Sequence, residues 1–95
     1  CHNQDKVSMG TIAARDAIRV LELTEQVAAA TLLAANQGVW LRAQAEDARP
    51  LPPALAAMHA ELAQDFAPVI EDRALEGELR LCLQRIAAQH WRLHA

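Results

Sequence analysis

Residues 28–37 read AAATLLAANQ. A helix built from this run is apolar nearly all the way round, and a helix apolar on every side is buried on every side. The run does not stand alone. From Ser8 onward Ile12, Ile18, Leu21, Val27, Leu32 and Leu33 recur at gaps that suit one helical face, while Arg15, Asp16, Arg19, Glu22 and Glu25 fall mostly elsewhere. Ser8 reads as the N-cap. Gly38 could stop the helix, but VWLRAQAED behind it can continue, so the reading carries it from about 8 to about 45. At ~1.5 Å per residue such a helix spans roughly 55 Å. A globule of 95 residues cannot cover it. The chain therefore calls for partner subunits or for further chain, and its opening on Cys1 rather than on methionine suggests processing or a piece of something longer.

The rest divides at EDARPLPP, where Pro50, Pro52 and Pro53 form a linker or sharp turn and Pro50 pushes Arg49 toward extended backbone. Pro53 suits the first turn of a second helix over about 53–66, with Leu55, Met58, Leu62 and Phe66 three or four apart. Pro68 ends it. A third helix over about 76–93 puts Leu79, Leu83, Ile86, His90 and Leu93 on one face, with Gly77 weakening its first turn. No alternating strand pattern occurs, and alanine and leucine dominate a composition with only 3% aromatic residues. The expected fold class is all-α: one long central helix and two shorter ones in a single helical segment over 1–95.

Composition removes several functions. A net charge of −3 with no basic stripe argues against nucleic acid. Glu22, Glu25 and Gln26 divide the longest apolar stretch, so no membrane span is expected, and the residues at the start lack the basic-then-apolar pattern of a secretory leader, so none is expected. Two cysteines do not make a disulfide framework; a reducing cytoplasm is the expectation, with Cys82 a small core residue. Glu22 with Glu25, and Glu71 with Asp72, read as solvated charge rather than acid–base pairs, and Asp72 with Arg73 as a salt bridge that fixes a loop. His90 and His94 have the i, i+4 spacing of a metal pair, but no third ligand accompanies them, so no metal site is expected. His59 reads as a surface or half-buried histidine, and Trp40 and Trp91 as packing residues.

What remains is a knot of polar residues, His2, Asn3, Gln4, Asp5 and Lys6, ahead of the long helix. The run Asn3-Gln4-Asp5-Lys6-Val7-Ser8-Met9-Gly10-Thr11, then TLLAANQGVWLR, LPPALAAMHAEL and VIEDRAL, resembles the C-terminal region of the aromatic amino-acid ammonia-lyases. That family holds the phenylalanine, tyrosine and histidine ammonia-lyases and the related aminomutases. The resemblance covers essentially the whole chain. It implies a multi-helix bundle of the ammonia-lyase type in a homotetramer, with the rest of the lyase chain and identical subunits as partners. It also implies a small aromatic amino acid as substrate and elimination of ammonia to give an arylacrylate. Asn3 and Gln4 would form a wall beside the substrate and the methylidene-imidazolone prosthetic group, with His2 and Ser8 as possible support. Gln4 stands four before Ser8, where the histidine enzymes carry a glutamate in a motif one residue longer, so the resemblance points to the phenylalanine or tyrosine branch. The family makes its electrophile from Ala-Ser-Gly and takes its proton with a tyrosine; this sequence has neither, so both would lie upstream and no catalytic residue is expected within the segment. The segment alone is expected to be inactive. The alternatives are a non-catalytic helical oligomerisation scaffold and an aminomutase.

Overall fold

In the computed structural model, which describes residues 2–91 and the side chains of 9–91, the chain forms α1 (His2–Ala43), α2 (Pro53–Asp65) and α3 (Glu76–Ala87). There is no strand among the described residues, in keeping with the all-α expectation. α1 begins at His2, not at Ser8. No glycine or proline interrupts 2–7, so the polar opening is itself helical and Ser8 is an interior residue rather than a cap. Gly38 likewise does not stop the helix; a Cβ there would meet nothing within 4 Å, so this glycine serves no close approach. α1 ends in tight turns, with Gln44 N–H donating to Leu41 O (3.1 Å) and Ala45 N–H to Arg42 O (3.2 Å).

Residues 44–52 then reverse the chain. Pro52 has the extended backbone (φ −53°, ψ 146°) that the following proline demands. Pro53 needs no N–H in the first turn of α2, whose ladder opens with Ala56 N–H to Pro52 O (2.9 Å). α2 stops where Phe66 turns extended. The loop behind it is stitched by Arg73, which donates to Pro68 O (3.1 Å) and Ala67 O (2.9 Å) and pairs with Glu78 Oε1 (2.9 Å). Arg73 thus fixes the loop, but through Glu78 rather than through the expected Asp72, which is exposed.

α3 is shorter than its periodicity implies. It ends at Ala87, and Gln89 takes the left-handed backbone (φ 53°). His90 N–H then donates to Arg85 O (3.0 Å) and Gln89 N–H to Ile86 O (3.1 Å), the Schellman closure of a helix C-terminus. His90 therefore lies beyond the helix rather than on its face, and Leu93 lies outside the described residues.

The core sits where α1 meets the other two helices. Ala29, Leu62, Phe66, Cys82 and Trp91 are buried, with Leu32, Leu33, Met58, Leu79, Leu83 and Ile86 packed against them. Ala29 is fully buried because Cys82 of α3 lies directly on it, the thiol 3.8 Å from the Ala29 carbonyl oxygen. Burial raises the Cys82 thiol pKa. Phe66 and Trp91 rings meet at 6.1 Å and 58°, and the His90 ring stands edge-on to Trp91 at 5.7 Å. This core is small. The chain exposes 7864 Å², against about 5,400 Å² for a compact monomer of this mass. Its radius of gyration is 18.9 Å, against about 12 Å for a compact domain of its length.

Candidate functional site

The residues to which the resemblance gives a role stand in the first turns of α1. His2, Asn3, Gln4 and Ser8 are all helical, so Asn3 and Gln4 are adjacent on the helix and Gln4 and Ser8 are one turn apart on one face. Their side chains lie outside the described ones. Cys1 and His94 lie outside the described residues altogether.

Among the described side chains, polar groups gather instead where α1 faces α2 and the following loop. Gln37 Nε2 donates to Val69 O and Val69 N–H donates to Gln37 Oε1, both at 2.8 Å. One amide thereby satisfies both backbone groups of a loop residue, as a neighbouring strand would. One position earlier, Asn36 is buried and its Oδ1 accepts from Nδ1 of half-buried His59 at 2.7 Å. The signal for both was two adjacent amides in an otherwise apolar run, since buried polar groups must find partners. Asp65 and Arg85 join α2 to α3 through an ion pair (Oδ2 to Nε, 3.5 Å).

A groove of about 280 Å³ opens beside the Gln37 clamp, with Leu33, Phe66, Val69, Leu75 and Leu79 among its lining. It holds no nucleophile, and its one carboxylate, Glu78, is engaged by Arg73. It can accept apolar groups; it cannot transfer a proton by itself. Ala30, on its wall, is roughly 40 Å along α1 from Asn3 at ~1.5 Å per residue. The groove is thus not the Asn3–Gln4 site. No group of three or more metal-ligating side chains occurs among the described residues, and no described helix is long and apolar enough to cross a membrane. Glu22 and Glu25 are exposed on α1, Glu22 beside Arg19, and Glu71 is exposed on the loop, as solvated charges.

The 95 residues contain no Ala-Ser-Gly run and no tyrosine, so nothing in this chain could mature into a methylidene-imidazolone. What the polar opening offers such a group is two neutral amides on consecutive helical positions.

The chain is a long helix with a polar first turn and many large apolar side chains left exposed by the two helices that pack on it. The comparisons with known proteins say to which family it belongs. The family model for aromatic amino acid lyases matches residues 1–64. The chain is 39% identical over 89 residues to a histidine ammonia-lyase of Caenorhabditis elegans, a match covering 90% of this chain and 12% of that protein. No solved structure matches. The chain belongs to the aromatic amino acid lyase family, and it spans about an eighth of the length of the curated relative it matches.

Proposed function

We propose that this chain is the C-terminal part of an aromatic amino-acid ammonia-lyase, a cytoplasmic homotetramer that eliminates ammonia from a phenylalanine- or tyrosine-like substrate to give an arylacrylate. The observation that carries the reading is the family match, which takes in Asn3-Gln4 and all of α1. In this reading Asn3 and Gln4 bind and orient substrate, with His2 and Ser8 in support. The electrophile and the base that removes the substrate proton come from upstream chain.

Gln4 supports the branch assignment. A neutral amide there donates and accepts hydrogen bonds without setting a negative charge beside a centre that becomes carbanion-like, whereas a carboxylate would suit an imidazole. A second reading, a histidine substrate, is favoured by the name of the nematode relative. The complete gene product, assayed with phenylalanine, tyrosine and histidine, should release ammonia and an unsaturated acid from one of the first two. Turnover of histidine alone would overturn the branch assignment. Activity with none of the three, together with an upstream region lacking Ala-Ser-Gly, would make the chain a non-catalytic scaffold. In the complete enzyme Gln4→Glu should lower kcat by roughly 10²-fold, the scale of one misplaced group at a charge-developing centre, with KM changed far less.

A further inference from the structure

Asn36 is only 9% exposed, yet its amide is half used. Its Oδ1 accepts from His59 Nδ1 at 2.7 Å, and its Nδ2 meets no acceptor among the described residues. A donor sealed away from water without a partner is costly. Nδ2 is not sealed: the enclosed side-chain donors without a partner, among the described residues, are Arg85 Nε and Trp91 Nε1. The Asn36 N–H bonds therefore open onto space that solvent reaches. Asn36 stands on the wall of two such spaces, the groove beside the Gln37 clamp and a smaller one of about 180 Å³ between α1 and α2. The smaller one presents almost no polar atom, which leaves the free N–H bonds to the groove beside the clamp.

That groove measures about 280 Å³ and is walled by Phe66 with Leu33, Leu75 and Leu79. A dry cavity of roughly 150 Å³ already holds benzene, so one aromatic ring with a short substituent fits, with Phe66 as a ring to pack against. The walls are set before anything enters. Gln37 fixes Val69 through two hydrogen bonds, and Arg73 holds Ala67 and Glu78. A wall already ordered spares a ligand the entropy of ordering it. Charge decides the substituent. Glu78 is the one ionisable residue of the lining, and Arg73 neutralises it, so no cation is left for a carboxylate. Stripping water from that anion would outweigh its hydrogen bond. A neutral carbonyl oxygen accepts from Asn36 Nδ2 without that penalty.

We infer that the groove is a binding site for a small neutral aromatic compound carrying one carbonyl acceptor, its ring against Phe66 and the leucines and its oxygen on the Asn36 amide. The site goes beyond the elimination chemistry proposed above and does not depend on it, since substrate and product of that reaction both carry a carboxylate. Acetophenone is the probe. Its counterparts are α-methylstyrene, the same shape without the acceptor, and benzoate, the charged form. Each is titrated into the full chain while the leucine and valine methyl resonances and the Asn36 side-chain amide resonances are followed. Acetophenone should bind with a Kd of about 0.1–1 mM, within reach of a ligand of about nine non-hydrogen atoms. Its ring current should move the methyls of Leu33, Val69, Leu75 and Leu79, which line the groove, before any others. The Asn36 amide protons should shift downfield with acetophenone and not with α-methylstyrene, and benzoate should bind at least about tenfold more weakly. Ala34→Phe, at an exposed position of α1 on the groove wall, should fill the space and abolish the shifts with helical circular dichroism retained. Methyls unmoved up to about 10 mM acetophenone, shifts confined to other methyls, an Asn36 amide that answers both neutral ligands alike, benzoate binding as well as acetophenone, or shifts that survive Ala34→Phe would each overturn the proposal.

Discussion

Gln37 holds Val69 from both sides, and that single amide shows how far one residue reaches in so small a core. Gln37→Leu keeps most of the volume but strands a half-buried N–H and C=O. It should cost about 1–3 kcal/mol, read as a lower denaturant midpoint, with faster amide exchange at Val69 as the local signature. Cys82 tests burial differently. Its thiol pKa is raised by desolvation, so in the folded chain the reactive thiolate is scarce. In a Cys1→Ser background, alkylation at pH 8 should be slow until denaturant is added. The linkage has a definite sign: the folded pKa is raised, so the contribution to stability is complete below the thiol's unfolded pKa and is lost as pH climbs through the folded one. Stability should thus fall on the alkaline side, and Cys82→Ala should flatten that fall; an unchanged alkaline slope would mean another group causes it.

At the scale of elements, termini decide the shape. α2 starts where two prolines leave no other geometry, and it was readable for that reason: the constraint is local and covalent. α3 ends where the apolar spacing gives no warning. Gln89 occupies a left-handed position that glycine usually fills, and the Schellman bonds with the packing of Trp91 on Phe66 hold it there. Gln89→Gly should relieve that backbone and raise stability by up to about 1 kcal/mol, the 1–2 kcal/mol strain of a non-glycine residue there being partly offset by the freer unfolded chain. A lower thermal midpoint for this variant would mean that the Gln89 side chain makes up for its backbone. In the middle of α1, Leu33 packs on the core while lining the open groove. Leu33→Asp should unfold the α1–α2–α3 junction and abolish assembly, since an unpaired carboxylate in an apolar setting costs several kcal/mol. A variant that keeps its oligomeric state would show that the junction does not need this face.

At the scale of the whole molecule, the elongated shape, 69 × 33 × 22 Å, follows from one helix outrunning the two that pack on it. The core covers α1 at Ala29, Leu32, Leu33 and Asn36, whereas Met9, Ile12, Ile18, Val20, Leu21 and Val27 stay open on several sides. Covering these side chains by association would add to the stability of so small a core. Its thermal midpoint should rise with protein concentration, as mass action requires of any species whose folded form binds a partner. A midpoint constant over a hundredfold range of concentration would locate its stability in the small core alone.

The sequence by itself determined the three helices and the break between the first two, because helical periodicity and proline geometry are local; the run 28–37, apolar nearly all round, is buried in this chain only at Ala29 and Asn36. The polar opening, Asn3 and Gln4 above all, pointed to the family to which the chain belongs. Tertiary structure alone decided that Asn36 ties α1 to His59 of α2 and Gln37 ties it to the loop at Val69, that Arg73 closes its loop on Glu78, that α3 stops short of His90, and which stripe of α1 the chain's own helices cover. The clamps and the covered stripe depend on what lies across a gap of many residues, Gln37 to Val69 or Ala29 to Cys82. A periodic pattern says that a face must be buried; only the packed chain says against what.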